Sequence, residues 1–124
     1  MPSAKKRILC VEDHEDTCFM LSSLLKHENH EAELVNNIDE ALRVVEDEAY
    51  DLFILDKQLP DGNGLDLCKE LRQRFPSTPI IIYAATARES DPRESFLAGA
   101  TDYVAKPGVN ELVEAITRQF QRTK

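Results

Sequence analysis

The stretch Asp51-Leu52-Phe53-Ile54-Leu55-Asp56-Lys57-Gln58-Leu59-Pro60-Asp61-Gly62-Asn63-Gly64 decides the fold. Four consecutive apolar residues, Leu52 to Leu55, run straight into a carboxylate, and Pro60-Asp61-Gly62 then signals a turn. An apolar run without alternation predicts a parallel strand covered on both faces, because a half-exposed antiparallel strand would alternate. In such sheets ligands collect outside the carboxyl ends of the strands. Asp56 is therefore the first candidate for chemistry.

Working outward, Ile8-Leu9-Cys10-Val11 repeats the design and ends in Glu12-Asp13. Ile80 to Ala85 is apolar throughout, and Tyr103-Val104-Ala105 stops at Lys106-Pro107, a bond that admits a cis form. Ala32, Leu34 and Val35 alternate partly, which suits an edge strand. Helical spacing fills the gaps. Cys18, Leu21, Leu24 and Leu25 mark a helix from Asp16 to about Glu28, broken by Asn29-His30. Asn37 caps a second that carries Ile38, Ala41, Leu42, Val45 and Ala49 on one face. Leu65, Cys68, Leu71 and Phe75 mark a third, closed by Pro76. Asp91-Pro92 with Glu94 starts a short fourth that ends at Gly99, and Val109, Leu112, Val113, Ile116 and Phe120 form the inner face of a fifth. The expected fold is α/β, one domain over residues 1–124, with a single doubly wound five-stranded parallel sheet of order 2-1-3-4-5 and five helices. Strands 1 and 3 then adjoin where the winding reverses, with Glu12, Asp13 and Asp56 at their carboxyl ends.

Composition narrows the classes. With 42% apolar and 31% charged residues the chain reads as an ordinary globular domain. No stretch approaches the roughly 20 apolar residues that a bilayer span requires. Lys5-Lys6-Arg7 leads into too short an apolar run for a signal peptide, so a cytoplasmic location is expected. The net charge of -8 opposes direct nucleic-acid binding, which draws on Lys and Arg. The three cysteines, Cys10, Cys18 and Cys68, lack metal-ligand spacing and read as buried reduced thiols.

Three acids gathered at strand ends repel one another unless a proton or cation compensates them. A hard divalent cation suits them, and Mg²⁺ prefers carboxylate, carbonyl and water oxygens. Lys106 is the strong positive charge on the same edge; it can pair with a carboxylate at rest and with a phosphoryl oxygen afterwards.

The acid pair, the later Asp with its Pro-Asp-Gly turn and the terminal Lys-Pro together resemble the receiver domain of two-component response regulators, over essentially the whole of Ile8 to Phe120. The resemblance implies a flavodoxin-like receiver fold. It implies phosphorylation of Asp56 by a histidine kinase or histidine phosphotransfer protein, with Mg²⁺ held by Asp13, Asp56 and the backbone carbonyl of Gln58, and Glu12 acting through bound water. Lys106 would contact the phosphoryl group, and Tyr103 occupies the place of a switch aromatic. One position departs: strand 4 of the family ends in Thr or Ser, where this chain has Ala84 followed by Ala85. Thr86 supplies a hydroxyl on the same side of a regular strand, one step further out. The expectation is a domain that accepts phosphate yet switches weakly or by another route.

The function this implies is two-component signalling by a phosphoryl-accepting module rather than an enzyme, with a downstream protein partner, or a second copy in a homodimer, on the face made by helix 4, strand 5 and helix 5. One rival is a receiver-like interaction module that no longer switches by phosphorylation. Another is a small Mg²⁺-dependent phosphohydrolase, which needs a second catalytic acid and a substrate-specifying cap, whereas Lys57 and Gln58 follow Asp56 here. A flavodoxin-like cofactor binder lacks its phosphate loop after strand 1. Beside these stand plainer readings: Glu12-Asp13 as a helix precap, Tyr103 as a packed aromatic, His14 as a solvent-facing residue rather than a transition-metal ligand, and His27 and His30 as surface residues.

Overall fold

A five-stranded parallel sheet runs through the structure, a computed structural model that describes residues 5–85 and 92–121. In chain order the elements are β1 (Arg7–Val11), α1 (Glu15–His27), β2 (Glu31–Val35), α2 (Ile38–Asp47) and β3 (Leu52–Leu55), then a small hairpin pairing Gln58–Leu59 with Gly62–Asn63. They continue as α3 (Gly64–Arg74), β4 (Ile80–Ala85), α4 (Pro92–Leu97), β5 (Asp102–Lys106) and α5 (Val109–Gln121). The sheet order is β2-β1-β3-β4-β5, the expected 2-1-3-4-5, and every neighbouring pair is parallel.

Strand alternation divides the core into two layers. Leu9, Val11, Phe53, Leu55, Ile80, Ile82 and Ala84 point to one face and meet Ala41 and Val45 of α2 and Leu67, Cys68 and Leu71 of α3. Ile8, Cys10, Leu52, Ile54, Ile81, Tyr83 and Val104 point to the other and meet Leu21 and Leu25 of α1 and Leu112 and Ile116 of α5. Burial of each large apolar side chain contributes about 1.5–3 kcal/mol. Both faces of the inner strands are thus covered, which is why Ile8 to Val11, Leu52 to Leu55 and Ile80 to Ile82 are unbroken apolar runs.

Caps fix where the helices begin. Asn37 Oδ1 accepts from Glu40 N at 2.8 Å, and Glu40 Oε1 accepts in return from Asn36 N at 2.9 Å. The Asp61 carboxylate accepts from Ile38 N at 2.9 Å and Asp39 N at 3.1 Å, so the loop after β3 is tied to the start of α2. Asn63 Oδ1 caps α3 through Leu65 N at 2.7 Å.

Several expectations need correction. Ala49 lies beyond the C-cap Glu48 of α2 and is exposed. The inner face of α5 includes Ala115 and Gln119, whereas Val109 is 39% exposed. Cys18 is half-buried, though Cys10 and Cys68 are fully inside and all three are free thiols. His30 is half-buried rather than fully on the surface: its ring packs on Phe120 with centroids 5.2 Å apart, and burial pushes its imidazole below the ordinary range. Thr86 and the helix-starting Asp91 lie outside the described residues.

Candidate phosphoryl and metal site

Alternation also builds the site. Continued to the carboxyl ends of the strands, the rows that hold Cys10, Ile54 and Val104 reach Glu12 and Asp56 just past β1 and β3 and Lys106 at the end of β5, so all three emerge on the same face of the sheet. Backbone bonds hold two of them in place: Glu12 N donates to Val35 O and Asp56 N to Val11 O, each at 3.0 Å. Cys18 Sγ and Asn36 Nδ2 donate to Glu12 O at 3.2 and 3.1 Å, clamping the turn before α1.

Lys106 Nζ stands 2.8 Å from Glu12 Oε1 and 3.5 Å from Asp56 Oδ2. It also lies 5.7 Å from the centre of the Tyr83 ring, whose hydroxyl donates to Pro107 O at 2.7 Å. The Lys106-Pro107 bond is cis. Asp13 is the more exposed acid, and His14 Nδ1 lies 3.5 Å from its Oδ1. The predicted set Glu12, Asp13, Asp56 and Lys106 is therefore gathered in one place. Gln58 follows in the hairpin, and its N–H donates to Asp56 Oδ1 at 3.5 Å.

The two buried carboxyls titrate in opposite directions. Burial would raise Glu12, but hydrogen bonds from Lys106 and from the side chain and backbone of His14 overcome it and hold Glu12 below the usual carboxylate range. Asp56 is pushed up, first by burial and then by the Glu12 charge, which together outweigh Lys106. Asp56 is 5% exposed, and its buried Oδ2 accepts no hydrogen bond. Such an atom suits an electrophile or a cation. With Glu12 and Asp13 beside it, Asp56 completes a set of three hard carboxylates suited to Mg²⁺.

His14 was expected to face solvent. Its side chain is 65% exposed, yet Nδ1 turns back to Glu12 Oε2 at 2.7 Å and lies 3.7 Å from Asp56 Oδ2. Its position beside the acid pair was the signal in the sequence; the extended backbone at φ -80°, ψ 121° ahead of α1 supplies the direction.

Ala84 is 2% exposed in the core cluster on which half-buried Tyr103 packs, so no hydroxyl stands at that place on β4. Lys57, immediately after Asp56, pairs instead with Glu94 of α4 at 3.1 Å. Glu94, read from the sequence only as a helix-starting acid, thus also anchors the residue that follows Asp56.

A family model described as the response regulator receiver domain matches residues 8–117. The chain is 36% identical over 116 residues to the response regulator ArlR of Staphylococcus epidermidis, covering 93% of this chain and 52% of that one. It thus spans about half the length of the curated relatives it matches. Among solved structures, the receiver domain of the sensor histidine kinase PA1611 from Pseudomonas aeruginosa PAO1, with magnesium coordinated in its active-site cleft, superposes with a TM-score of 0.84 at 30% identity, covering 94% of this chain and 98% of that one. A two-component response regulator from Clostridium difficile superposes with a TM-score of 0.85 at 27% identity, covering 96% and 98%.

Proposed function

The chain belongs to the response regulator receiver domain family, and from that premise we propose that Asp56 is its phosphoacceptor. The observation that carries this reading is the buried Asp56 carboxylate with an unsatisfied Oδ2, set between Glu12 and Lys106. A carboxylate oxygen of Asp56 attacks the phosphorus of a phosphohistidine on a histidine kinase or phosphotransfer protein. The P–O bond forms as the P–N bond breaks, and the donor imidazole leaves with the electron pair. Lys106 releases part of its hold on Glu12 and turns its charge to the new phosphoryl oxygens. Asp13, Asp56 and the Gln58 carbonyl would hold Mg²⁺, with Glu12 acting through water; bound there, the ion supplies charge neutralisation for phosphoryl transfer. Hydrolysis of the acyl phosphate resets the module, which makes it a timed signal carrier rather than a turnover enzyme.

The readout is the face of α4, β5 and α5, where Phe96, Leu97 and Val109 are 47%, 87% and 39% exposed and suit a protein partner or a second copy. No described helix is long and apolar enough to cross a membrane, and a cytoplasmic setting is the one we assign. Ala84 supports a weak or rerouted link from phosphate to Tyr103, with Thr86 as the nearest hydroxyl in the sequence.

Incubation with acetyl phosphate and Mg²⁺ tests the acceptor. Intact-mass spectrometry is expected to show a gain of one phosphoryl group that Asp56→Asn abolishes. Steady release of phosphate without a labelled protein would favour the hydrolase, and no reaction at all would favour the unswitched interaction module.

A further inference from the structure

We propose that His14 turns this acidic pocket into a mixed nitrogen and oxygen site that takes a late first-row transition ion, Ni²⁺ or Zn²⁺, in preference to Mg²⁺; this rests on the reading of Asp13 and Asp56 as cation ligands. Glu12, Asp13, His14 and Asp56 each offer one ligand atom, and these atoms all lie within 4.8 Å of one another. The second observation is Asp56 itself: 5% exposed, with an Oδ2 that accepts no hydrogen bond and that faces His14 Nδ1 at 3.7 Å. Carboxylates alone select hard ions such as Mg²⁺ and Ca²⁺, whereas an imidazole nitrogen shifts the preference toward Ni²⁺, Cu²⁺ and Zn²⁺.

Charge and geometry agree with a divalent ion. Three carboxylates against the one ammonium of Lys106 leave two negative charges, the amount one such ion neutralises. The two oxygens of Glu12 are engaged at rest, Oε1 by Lys106 and Oε2 by His14. The ligands left for the ion are therefore Asp13, Asp56 and His14 once Nδ1 exchanges Glu12 for metal. The backbone N–H of His14 also donates to Glu12 Oε2 at 3.1 Å, which keeps the residue over the pocket when the ring moves.

Titration calorimetry of the untagged full chain with MgCl₂, NiCl₂ and ZnCl₂, paired with ¹⁵N imidazole spectra, tests the assignment. Expected are tighter binding of Ni²⁺ and Zn²⁺ than of Mg²⁺, and a Zn²⁺-induced displacement of the His14 Nδ1 resonance. His14→Gln should weaken Ni²⁺ and Zn²⁺ binding by about tenfold or more, with Mg²⁺ affinity held within about threefold. Equal loss for all three ions, no loss, or a Zn²⁺ response confined to His27 and His30 overturns the role of His14. The underlying cation reading has its own control: if Asp13→Asn alters the binding of neither Mg²⁺ nor Zn²⁺, that reading fails and the assignment falls with it.

Discussion

Lys106 holds Glu12 at 2.8 Å, closer than its 3.5 Å approach to Asp56. The resting ammonium thus belongs mainly to Glu12, and Asp56 is left under-compensated. Both partners are largely out of water, with side chains 16% and 2% exposed. Removing one member of a buried pair strands the other charge, at a cost of about 3 kcal/mol. Lys106→Met should therefore lower the urea-unfolding free energy by about that amount at neutral pH, and adding Glu12→Gln should recover most of it. Equal stabilities for parent and Lys106→Met would refute this account of the pair.

Asp56→Asn should stabilise the protein. Burial and the Glu12 charge raise the folded-state Asp56 above its unfolded value, so the ionised form costs folding free energy. That cost is fully present above the folded-state pKa and vanishes as pH falls below the unfolded value of about 3.9. The gain is expected at pH 7 and shrinks toward zero as pH falls to the unfolded-state value. Thermal unfolding at the two pH values checks it, and a gain that grows on acidification would reverse the sign.

Ala84→Thr should strengthen the coupling of the site to Tyr103. Position 84 lies beside Ala105 in the parallel register, one pair on from Tyr83 and Val104, in the cluster that supports Tyr103. With beryllofluoride and Mg²⁺, a fluorotyrosine label at Tyr103 is expected to shift more in the variant than in the parent. Identical shifts would show that a hydroxyl at 84 contributes nothing.

Arg72 of α3 ties the far end of the domain together. Its guanidinium donates to Phe75 O, Pro76 O and Thr78 O at 3.0, 3.0 and 2.7 Å, and across to Gly99 O at 3.0 Å. Gly99 has φ +111°, and a Cβ there would meet Arg72 Cβ at 2.9 Å, so the side chain and the turn after α4 are fitted to each other. Arg72→Met should cost about 2–4 kcal/mol by orphaning these carbonyls, and Arg72→Lys should restore little because an ammonium lacks the planar fork. Chemical denaturation of the three proteins decides it.

The sheet could be read from the chain because the inner strands are unbroken apolar runs, and Glu12, Asp56 and Lys106 could be read because each follows such a run at the alternation that points to α1 and α5. What stayed hidden depends on distant or angular facts. His30 meets Phe120 across the whole chain, Arg72 meets Gly99 27 residues on, and Lys57 meets Glu94 37 residues on. His14 keeps the exposure expected of it, but its bond to Glu12 could not be read because one backbone angle pair decides where Nδ1 turns. Val109 looked internal by apolarity alone, whereas the turn of α5 that reaches the sheet presents Ala115 and Gln119.

Gly64 opens α3 with its N–H on Lys57 O at 2.7 Å, and a Cβ added there would sit 1.8 Å from Asp56 O. Even alanine is sterically inadmissible against that carbonyl. Side chains at the rim of the pocket, such as the exposed His14, have room to change, but the backbone behind Asp56 has none. Any redesign that seeks to re-aim Asp56 must begin by moving the first turn of α3 as a body.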